Sequence, residues 1–216
     1  RISFLYLTLF SYDYIMNKKI KPEAILFDMD GVLVDSLDSW WNALNYSLKH
    51  FKHKTISKKE FIEKYWGHDL FYNLNKMKLP EEVGLFCNEV YYKYVDEIKL
   101  YPYVKKTLDK LNSYKKSIIT NTPKKCTLQI IKNFELEKYF DFVLTSSDVS
   151  FAKPNPEIVI KSCKKFNVKP EDAVLIGDTD SDIKAGKAAG CKVIGVKIKA
   201  DYFINDISEL PDILDL

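Results

Sequence analysis

The sequence contains few of the residues that build disulfide frameworks or zinc sites, with four cysteines and three histidines among 216 residues. Cys87, Cys126, Cys163 and Cys191 lie far apart, and no two of them form a C-x-x-C pair. Structural zinc sites need close pairs of thiol or imidazole ligands, so this spacing argues against zinc. Because isolated thiols are typical of reducing compartments, we predict a cytoplasmic protein.

Clusters of like charge are also missing. The 33 Lys and Arg residues stand against 30 Asp and Glu residues, and both signs are spread along the chain. A nucleic-acid interface would collect basic residues in one region, so this distribution argues against a nucleic-acid partner. The length allows a full hydrophobic core, in one domain or in one domain that carries a smaller insertion.

The first fifteen residues, RISFLYLTLFSYDYI, are apolar and aromatic and precede Met16. They lack the basic start and the small-residue cleavage site of a signal peptide, and they are shorter than the ~20 apolar residues of a membrane-spanning helix. We interpret residues 1–16 as a non-native or upstream segment, with Met16 as the natural start. A peripheral membrane anchor is the alternative.

Five short runs of apolar, often β-branched residues predict buried strands, at 24–28, 116–120, 142–145, 173–177 and 192–196. Each run is continuously apolar, which is typical of strands covered on both faces. From residue 104 onward, helical patterns alternate with these runs. This alternation predicts an α/β fold with a doubly wound, Rossmann-like parallel sheet.

About ninety residues separate the first run from the second, and their apolar residues recur with helical spacing. Because a structureless loop of that length would be exceptional, residues 36–103 are predicted to form an inserted α-helical domain. Residues 17–35 and 104–216 would then form the domain that contains the parallel sheet.

Polar side chains follow the first four predicted strands along the chain: Asp28 and Asp30, Thr120 and Asn121, Lys153, and finally Asp178, Asp180 and Asp182. Ligands bind beyond the carboxyl ends of parallel strands, so these side chains are expected to converge. Carboxylates that converge repel one another unless a cation is bound, and oxygen ligands without thiol or imidazole suit Mg²⁺. A carboxylate next to such a metal is a competent nucleophile toward phosphorus, which favours phosphoryl transfer through an aspartyl-phosphate.

Each of these motifs alone has an ordinary structural explanation, as a turn, a surface lysine or a helix cap. Thr122 is the expected N-cap of the helix after the second strand, and Asp180 the expected cap after the fourth. We favour a catalytic site because four such signals follow four successive strands in one order.

The motifs DMDGV, TN, the lysine of AKPNP, and GDTDSD occur in this order between about residue 22 and the end of the chain. In this respect the sequence resembles the haloacid dehalogenase superfamily, in the branch with a helical cap after the first motif. The resemblance implies that residues 36–103 are the cap domain and that residues 17–35 and 104–216 are the catalytic core. The resemblance implies that Asp28 is the nucleophile and that Asp30 protonates the leaving group and then activates water.

The resemblance also implies the ligands of the metal and of the phosphoryl group. Mg²⁺ would be held by Asp28, the backbone carbonyl of Asp30 and Asp178, with Asp182 arranging the water ligands of the metal. The phosphoryl group would be bound by Thr120, Asn121 and Lys153. Gly67 and His68 match the place where related caps carry a glycine-containing substrate loop, so they are candidate substrate contacts.

Two residues bear on the choice of reaction, Asp30 and Trp40. Asp30 disfavours a dehalogenase or a phosphonate-cleaving enzyme, since those relatives lack a second aspartate at this place. Sugar-phosphate mutases of this branch carry a histidine in the first cap helix, where this sequence has Trp40. Tyr91 is expected to pack within its helix rather than to bind a ligand.

We therefore predict an Mg²⁺-dependent phosphatase that acts on a small phosphorylated metabolite and resembles phosphoglycolate phosphatases. A sugar-phosphate mutase, a pyrophosphatase and a nucleotide phosphatase stay open, and a non-catalytic binding module is the remote alternative. The sequence leaves the natural substrate and the choice between monomer and homodimer undecided.

Overall fold

The structure, a computed structural model, describes residues 19–216, so the predicted upstream segment 1–16 lies outside it. Within this range the strands are β1 (Ala24–Phe27), β2 (Val34–Asp35), β3 (Lys99–Leu100), β4 (Lys115–Ile119), β5 (Phe142–Leu144), β6 (Ala173–Gly177), β7 (Lys192–Val196) and β8 (Tyr202–Ile204). Six of them form one sheet in the order β5-β4-β1-β6-β7-β8, and every neighbouring pair is parallel. The predicted α/β fold with a doubly wound parallel sheet is confirmed.

Strand β1 lies in the middle of this sheet and is buried on both faces. Its residues alternate between two hydrophobic clusters, with Ile25 and Phe27 in one and Ala24 and Leu26 in the other. Successive side chains of a strand point to opposite faces, so the two clusters are the cores above and below the sheet. Burial on both faces explains why the sequence of β1 is continuously apolar.

Helices cover the sheet and fill the long insertion. They are α1 (Leu37–His50), α2 (Lys58–Lys64), α3 (Leu70–Lys76), α4 (Glu81–Tyr94), α5 (Val104–Lys110), α6 (Lys124–Asn133), α7 (Glu157–Phe166), α8 (Asp180–Ala189) and α9 (Leu210–Ile213). Helices α1 and α4 pack together through Trp40 and Tyr91, whose rings stack with centroids 3.7 Å apart. None of the helices within residues 19–216 has both the length and the apolar character that a membrane crossing requires.

Two features of the sheets were not predicted. Strands β2 and β3 form an antiparallel ribbon where the chain enters and leaves the helical insertion, with Val34 opposite Leu100. Strand β8 adds an edge to the main sheet beside β7. Strands of two or three residues are too short to give a recognisable pattern of side chains.

Both predicted helix caps are wrong by one residue. The N-cap of α8 is Thr179 rather than Asp180, because the Asp182 carboxylate accepts hydrogen bonds from both the backbone N–H and the hydroxyl of Thr179. Asp180 instead lies exposed in the first turn, 3.4 Å from Lys184. The N-cap of α6 is Pro123 rather than Thr122.

Candidate active site

The predicted site residues converge at the carboxyl edge of the parallel strands. One cavity is lined by the side chains expected to bind metal or phosphate, namely Asp28, Asp30, Thr120, Asn121, Lys153 and Asp178. Asp182 lies beside them with none of its surface exposed. Asp180 is absent from the lining.

Lys153 lies between two of the aspartates. Its Nζ is 2.8 Å from Asp28 Oδ1 and 2.6 Å from Asp182 Oδ1, and it also donates to the Ile119 carbonyl at 3.1 Å. Burial lowers the pKa of Lys153, but the charges of Asp182 and Asp28 outweigh this effect and raise its pKa above the ordinary value. Lys153 is therefore a fixed positive charge beside Asp28, the residue that follows β1.

The carboxyl groups of Asp28 and Asp178 are both difficult to ionise in the protein alone. Burial and then the charge of Asp182 raise the pKa of Asp28 well above its ordinary value, and Lys153 opposes this shift. The same two causes raise the pKa of Asp178 to about 7, although Trp66 Nε1 donates to its Oδ2 at 3.2 Å. A bound cation would relieve both shifts, because it favours the charged form of a carboxylate.

The acidic side chains offer a set of oxygen atoms that fits a divalent cation. Asp28, Asp178 and Asp182 each present an oxygen, and these three atoms all lie within 4.8 Å of one another. Asp178 Oδ1 is buried and has no hydrogen-bond partner among residues 19–216. Both oxygens of Asp182 are occupied by Lys153 and Thr179, so Asp178 and Asp28 are the better placed direct ligands. An oxygen-only set of this kind suits Mg²⁺.

Gly31 explains how the chain passes so close to this set. It adopts a left-handed backbone with φ +80°, and a Cβ atom there would overlap the carboxylate of Asp178. A glycine is therefore required both for the turn after Asp30 and for the room that Asp178 occupies.

Asp30 is held by hydroxyl groups rather than by charges. Its Oδ2 accepts from Thr122 at 2.7 Å and from Thr120 at 3.2 Å, while its Oδ1 accepts from Ser36 and, at 3.5 Å, from Tyr91. Thr122, Ser36 and Tyr91 were not predicted to belong to the site. Thr122 and Ser36 lie close in sequence to recognised motifs, whereas nothing in the sequence connects Tyr91 to Asp30.

Asn121 lies where it was predicted, but its side chain contacts the protein backbone. Its Nδ2 donates to the Lys153 carbonyl and its Oδ1 accepts from the Lys153 N–H, both at 2.9 Å. These paired bonds fix the loop that carries Lys153. The amide of Asn121 is thus used in positioning the lysine.

The loop between α2 and α3 contacts the start of α8. Trp66 bonds to Asp178 as described, and Gly67, at φ +77°, packs so closely on Thr179 that a Cβ atom would lie 2.6 Å from Thr179 Cβ. His68 Nδ1 lies 3.2 Å from Ser181 Oγ. Gly67 and His68 line the cavity, whereas His50 and His53 are exposed and lie outside it.

Comparison with known proteins finds relatives over most of the chain. Residues 25–196 match the sequence model of the family described as haloacid dehalogenase-like hydrolase. Pyrophosphatase PpaX of Bacillus mycoides (strain KBAB4) is 28% identical over 211 residues, which covers 90% of this chain and 98% of the relative.

Solved structures are similar as well. A predicted phosphoglycolate phosphatase from Haemophilus somnus 129pt is 25% identical, with a TM-score of 0.72 over 87% of this chain and 96% of that one. CbbY from Rhodobacter sphaeroides, solved in complex with phosphate, is 21% identical, with a TM-score of 0.77 over 88% of this chain and 96% of that one.

Proposed function

Since the chain belongs to the haloacid dehalogenase-like hydrolase family, and is therefore a hydrolase, we propose that it is an Mg²⁺-dependent phosphatase of small phosphorylated metabolites. The observation that carries the proposal is the pairing of two aspartates with different surroundings. Asp28 lies among charged groups and Asp30 among hydroxyl groups. Such a difference separates a nucleophile from a group that exchanges protons.

Asp28 and Asp178 would hold the metal together with the backbone carbonyl of Asp30, and Asp182 would support the metal's water ligands. When bound, Mg²⁺ would neutralise the negative charge of the phosphoryl group and keep the neighbouring carboxylates ionised. The unpartnered Oδ1 of Asp178 supports its role as a ligand.

In the first step, an oxygen of the Asp28 carboxylate attacks phosphorus and the bond from phosphorus to the alcohol oxygen breaks. Asp30 gives its proton to the departing alkoxide. In the second step, Asp30 takes a proton from water, which attacks the phosphorus of the aspartyl-phosphate and releases inorganic phosphate. Hydrogen bonds from Thr122 and Ser36 orient Asp30 for both transfers.

The phosphoryl oxygens would be bound by Thr120 and by Lys153, whose ammonium group lies 2.8 Å from the nucleophile. A fixed positive charge at this place stabilises the charge that spreads over the phosphoryl oxygens in the transition state. Asn121 contributes by holding the Lys153 backbone.

We also propose that residues 36–103 act as a cap over a core of residues 17–35 and 104–216. Side chains from α1, α2 and α3 line the same cavity as the strand-end aspartates, which supports this division. A cover of this kind excludes bulk water and limits the site to small substrates. Proteins and nucleic acids would not reach Asp28.

Hydrolysis of para-nitrophenyl phosphate tests the proposal. We expect turnover with Mg²⁺, none with EDTA, and a loss of about a thousandfold or more in Asp28→Asn, because the nucleophile is removed. Asp180→Asn is the matched control, since Asp180 is an exposed aspartate near the site that lies outside the cavity. Activity that persists in Asp28→Asn or in EDTA would contradict the mechanism.

Pyrophosphate hydrolysis is the second candidate function, because the relative from Bacillus mycoides is named a pyrophosphatase and aligns over nearly its whole length. The same nucleophile and acid would serve it, with phosphate instead of an alcohol as the leaving group. A panel of purified substrates that includes pyrophosphate, phosphoglycolate, sugar phosphates and nucleotides separates these candidates.

A further inference from the structure

The half of the cavity that faces the phosphate-binding residues is formed by α1, by α2 with the loop that follows it, and by α3. Its lining there is aromatic and aliphatic: Trp40, Leu44, Phe61, Tyr65, Trp66 and Leu70. The alcohol part of a phosphate ester would lie against these side chains, because the phosphoryl group must reach Asp28. A largely apolar surface selects an apolar partner.

Positive charge is confined to the phosphate-binding half. Among residues 19–216, Lys153 is the one cationic side chain that lines the cavity, and it is bound to Asp28 and Asp182. The sequence has a single arginine, Arg1, so no guanidinium group within the described range is available to pair with a carboxylate.

The two lysines whose charges act on His68, Lys76 and Lys184, are engaged elsewhere. Lys76 donates to the Lys64 carbonyl at 3.2 Å, and Lys184 lies 3.4 Å from Asp180. Neither lysine lines the cavity. A second negative group on the substrate would therefore have no counter-charge on this side.

His68 and Asn73 also lie in this half of the lining. The Nδ1 atom of His68 is within hydrogen-bond distance of Ser181, and burial, together with the charges of Lys76 and Lys184, lowers the pKa of His68, so the ring is neutral near pH 7. Asn73 is 4% exposed and donates through Nδ2 to the Tyr65 carbonyl at 2.8 Å. Its Oδ1 has no hydrogen-bond partner among residues 19–216.

An unpaired buried acceptor is costly, and a donor on the substrate would remove the cost. Asn73 Oδ1 can accept a hydroxyl or an N–H group, whereas a carboxylate or phosphate oxygen would repel it. The polar and the apolar parts of the lining therefore both favour an uncharged substrate group over an anionic one.

We propose that the substrate is a phosphate monoester whose alcohol part is uncharged, carries an aromatic or aliphatic surface, and donates a hydrogen bond to Asn73. The inference rests on the proposed phosphatase function and narrows it. It disfavours phosphoglycolate, bisphosphates and pyrophosphate, in which a second anionic group would enter the apolar half of the cavity.

Pairs of esters that differ in one charge test the inference. In para-carbamoylphenyl phosphate an amide replaces the carboxylate of para-carboxyphenyl phosphate, with nearly the same shape and with an N–H donor added. Phosphoglycolamide and phosphoglycolate form an aliphatic pair of the same kind. We expect kcat/KM to be about tenfold or more higher for the amide in each pair, because an unpaired buried charge is costly.

A variant that adds a positive charge beside the apolar lining provides a second test. His68→Lys introduces an ammonium group beside the apolar lining and should reduce the preference for the amide about tenfold, because the carboxylate gains a partner. His53→Lys, at an exposed position outside this cavity, is the control and should leave the ratio unchanged. Circular dichroism checks that both variants fold.

The possible results are distinct. Preference for the amides in the wild type, reduced in His68→Lys alone, supports the inference. Equal rates within each pair, a preference for the carboxylates or for pyrophosphate, or a ratio that His68→Lys does not change would overturn the inference and leave the phosphatase function standing. An enzyme that hydrolyses none of the esters and no para-nitrophenyl phosphate would overturn the proposed function itself.

Discussion

Replacing Asp178 by asparagine should stabilise the metal-free protein while abolishing its activity. Burial and the charge of Asp182 raise the pKa of Asp178 from its ordinary 3.8 to about 7. A difference of roughly three pKa units corresponds to about 4 kcal/mol, which is an upper bound on the cost of ionising this group in the folded state. Because the substitution also weakens the hydrogen bond from Trp66, we expect a net gain of about 2 kcal/mol.

The pH dependence follows from the direction of the shift. Between pH 3.8 and about 7 the folded protein holds the proton on Asp178 and the unfolded chain does not. The contribution of Asp178 to the free energy of unfolding therefore falls as pH rises through this window and changes no further above it. The gain in Asp178→Asn should accordingly be small near about pH 4 and largest at about pH 8.

Urea unfolding in EDTA at both pH values measures the effect, with Asp180→Asn as the control for loss of a negative charge near the site. Adding Mg²⁺ should stabilise the wild type, since a ligand that binds only the folded state shifts the equilibrium, and should stabilise Asp178→Asn much less. A variant less stable than the wild type in EDTA at about pH 8 would refute the reasoning, as would a gain that does not depend on pH.

Three further changes have distinct expected results. Lys153→Met should abolish phosphatase activity and lower the free energy of unfolding by about 3 kcal/mol, measured in urea, because it leaves buried carboxylates without their partner. Gly67→Ala should destabilise the loop between α2 and α3 by about 1–2 kcal/mol and raise KM, because of its positive φ and its contact with Thr179. Tyr91→Phe should lower kcat by less than about tenfold, because one donor to Asp30 is lost while the ring still stacks. An unchanged kcat would show that Tyr91 only packs.

The strand and motif patterns of the sequence are sufficient to predict most of the core. A strand buried on both faces must be continuously apolar, so β1 and β6 can be recognised in the sequence as short apolar runs. The parallel arrangement then brings the residues after each run to one edge. Asp28, Asp178 and Lys153 could be placed together for this reason before any distance was known.

Hydrogen-bond partners at the site could not be predicted in the same way. The carboxylate of Asp30 is shared with Tyr91, sixty-one positions away along the chain, and that contact depends on how α4 packs on α1. The bond from Trp66 to Asp178 likewise depends on how the loop after α2 lies on the sheet. A contact between two distant segments does not produce a periodic pattern of residues in the sequence of either segment.

The sequence by itself determined the parallel sheet, the helical insertion and the set of chemical groups at the strand ends, because these follow from local periodicity and from the direction of the strands. Only the tertiary structure decided which atoms satisfy one another. It pairs Lys153 with Asp28 and Asp182. Among residues 19–216 it leaves Asp178 Oδ1 and Asn73 Oδ1 without hydrogen-bond partners. It also places apolar side chains of α1, α2 and α3 around the half of the cavity that faces the phosphate-binding residues. Those unsatisfied atoms and that lining are properties of a packed surface, which no single stretch of the chain encodes.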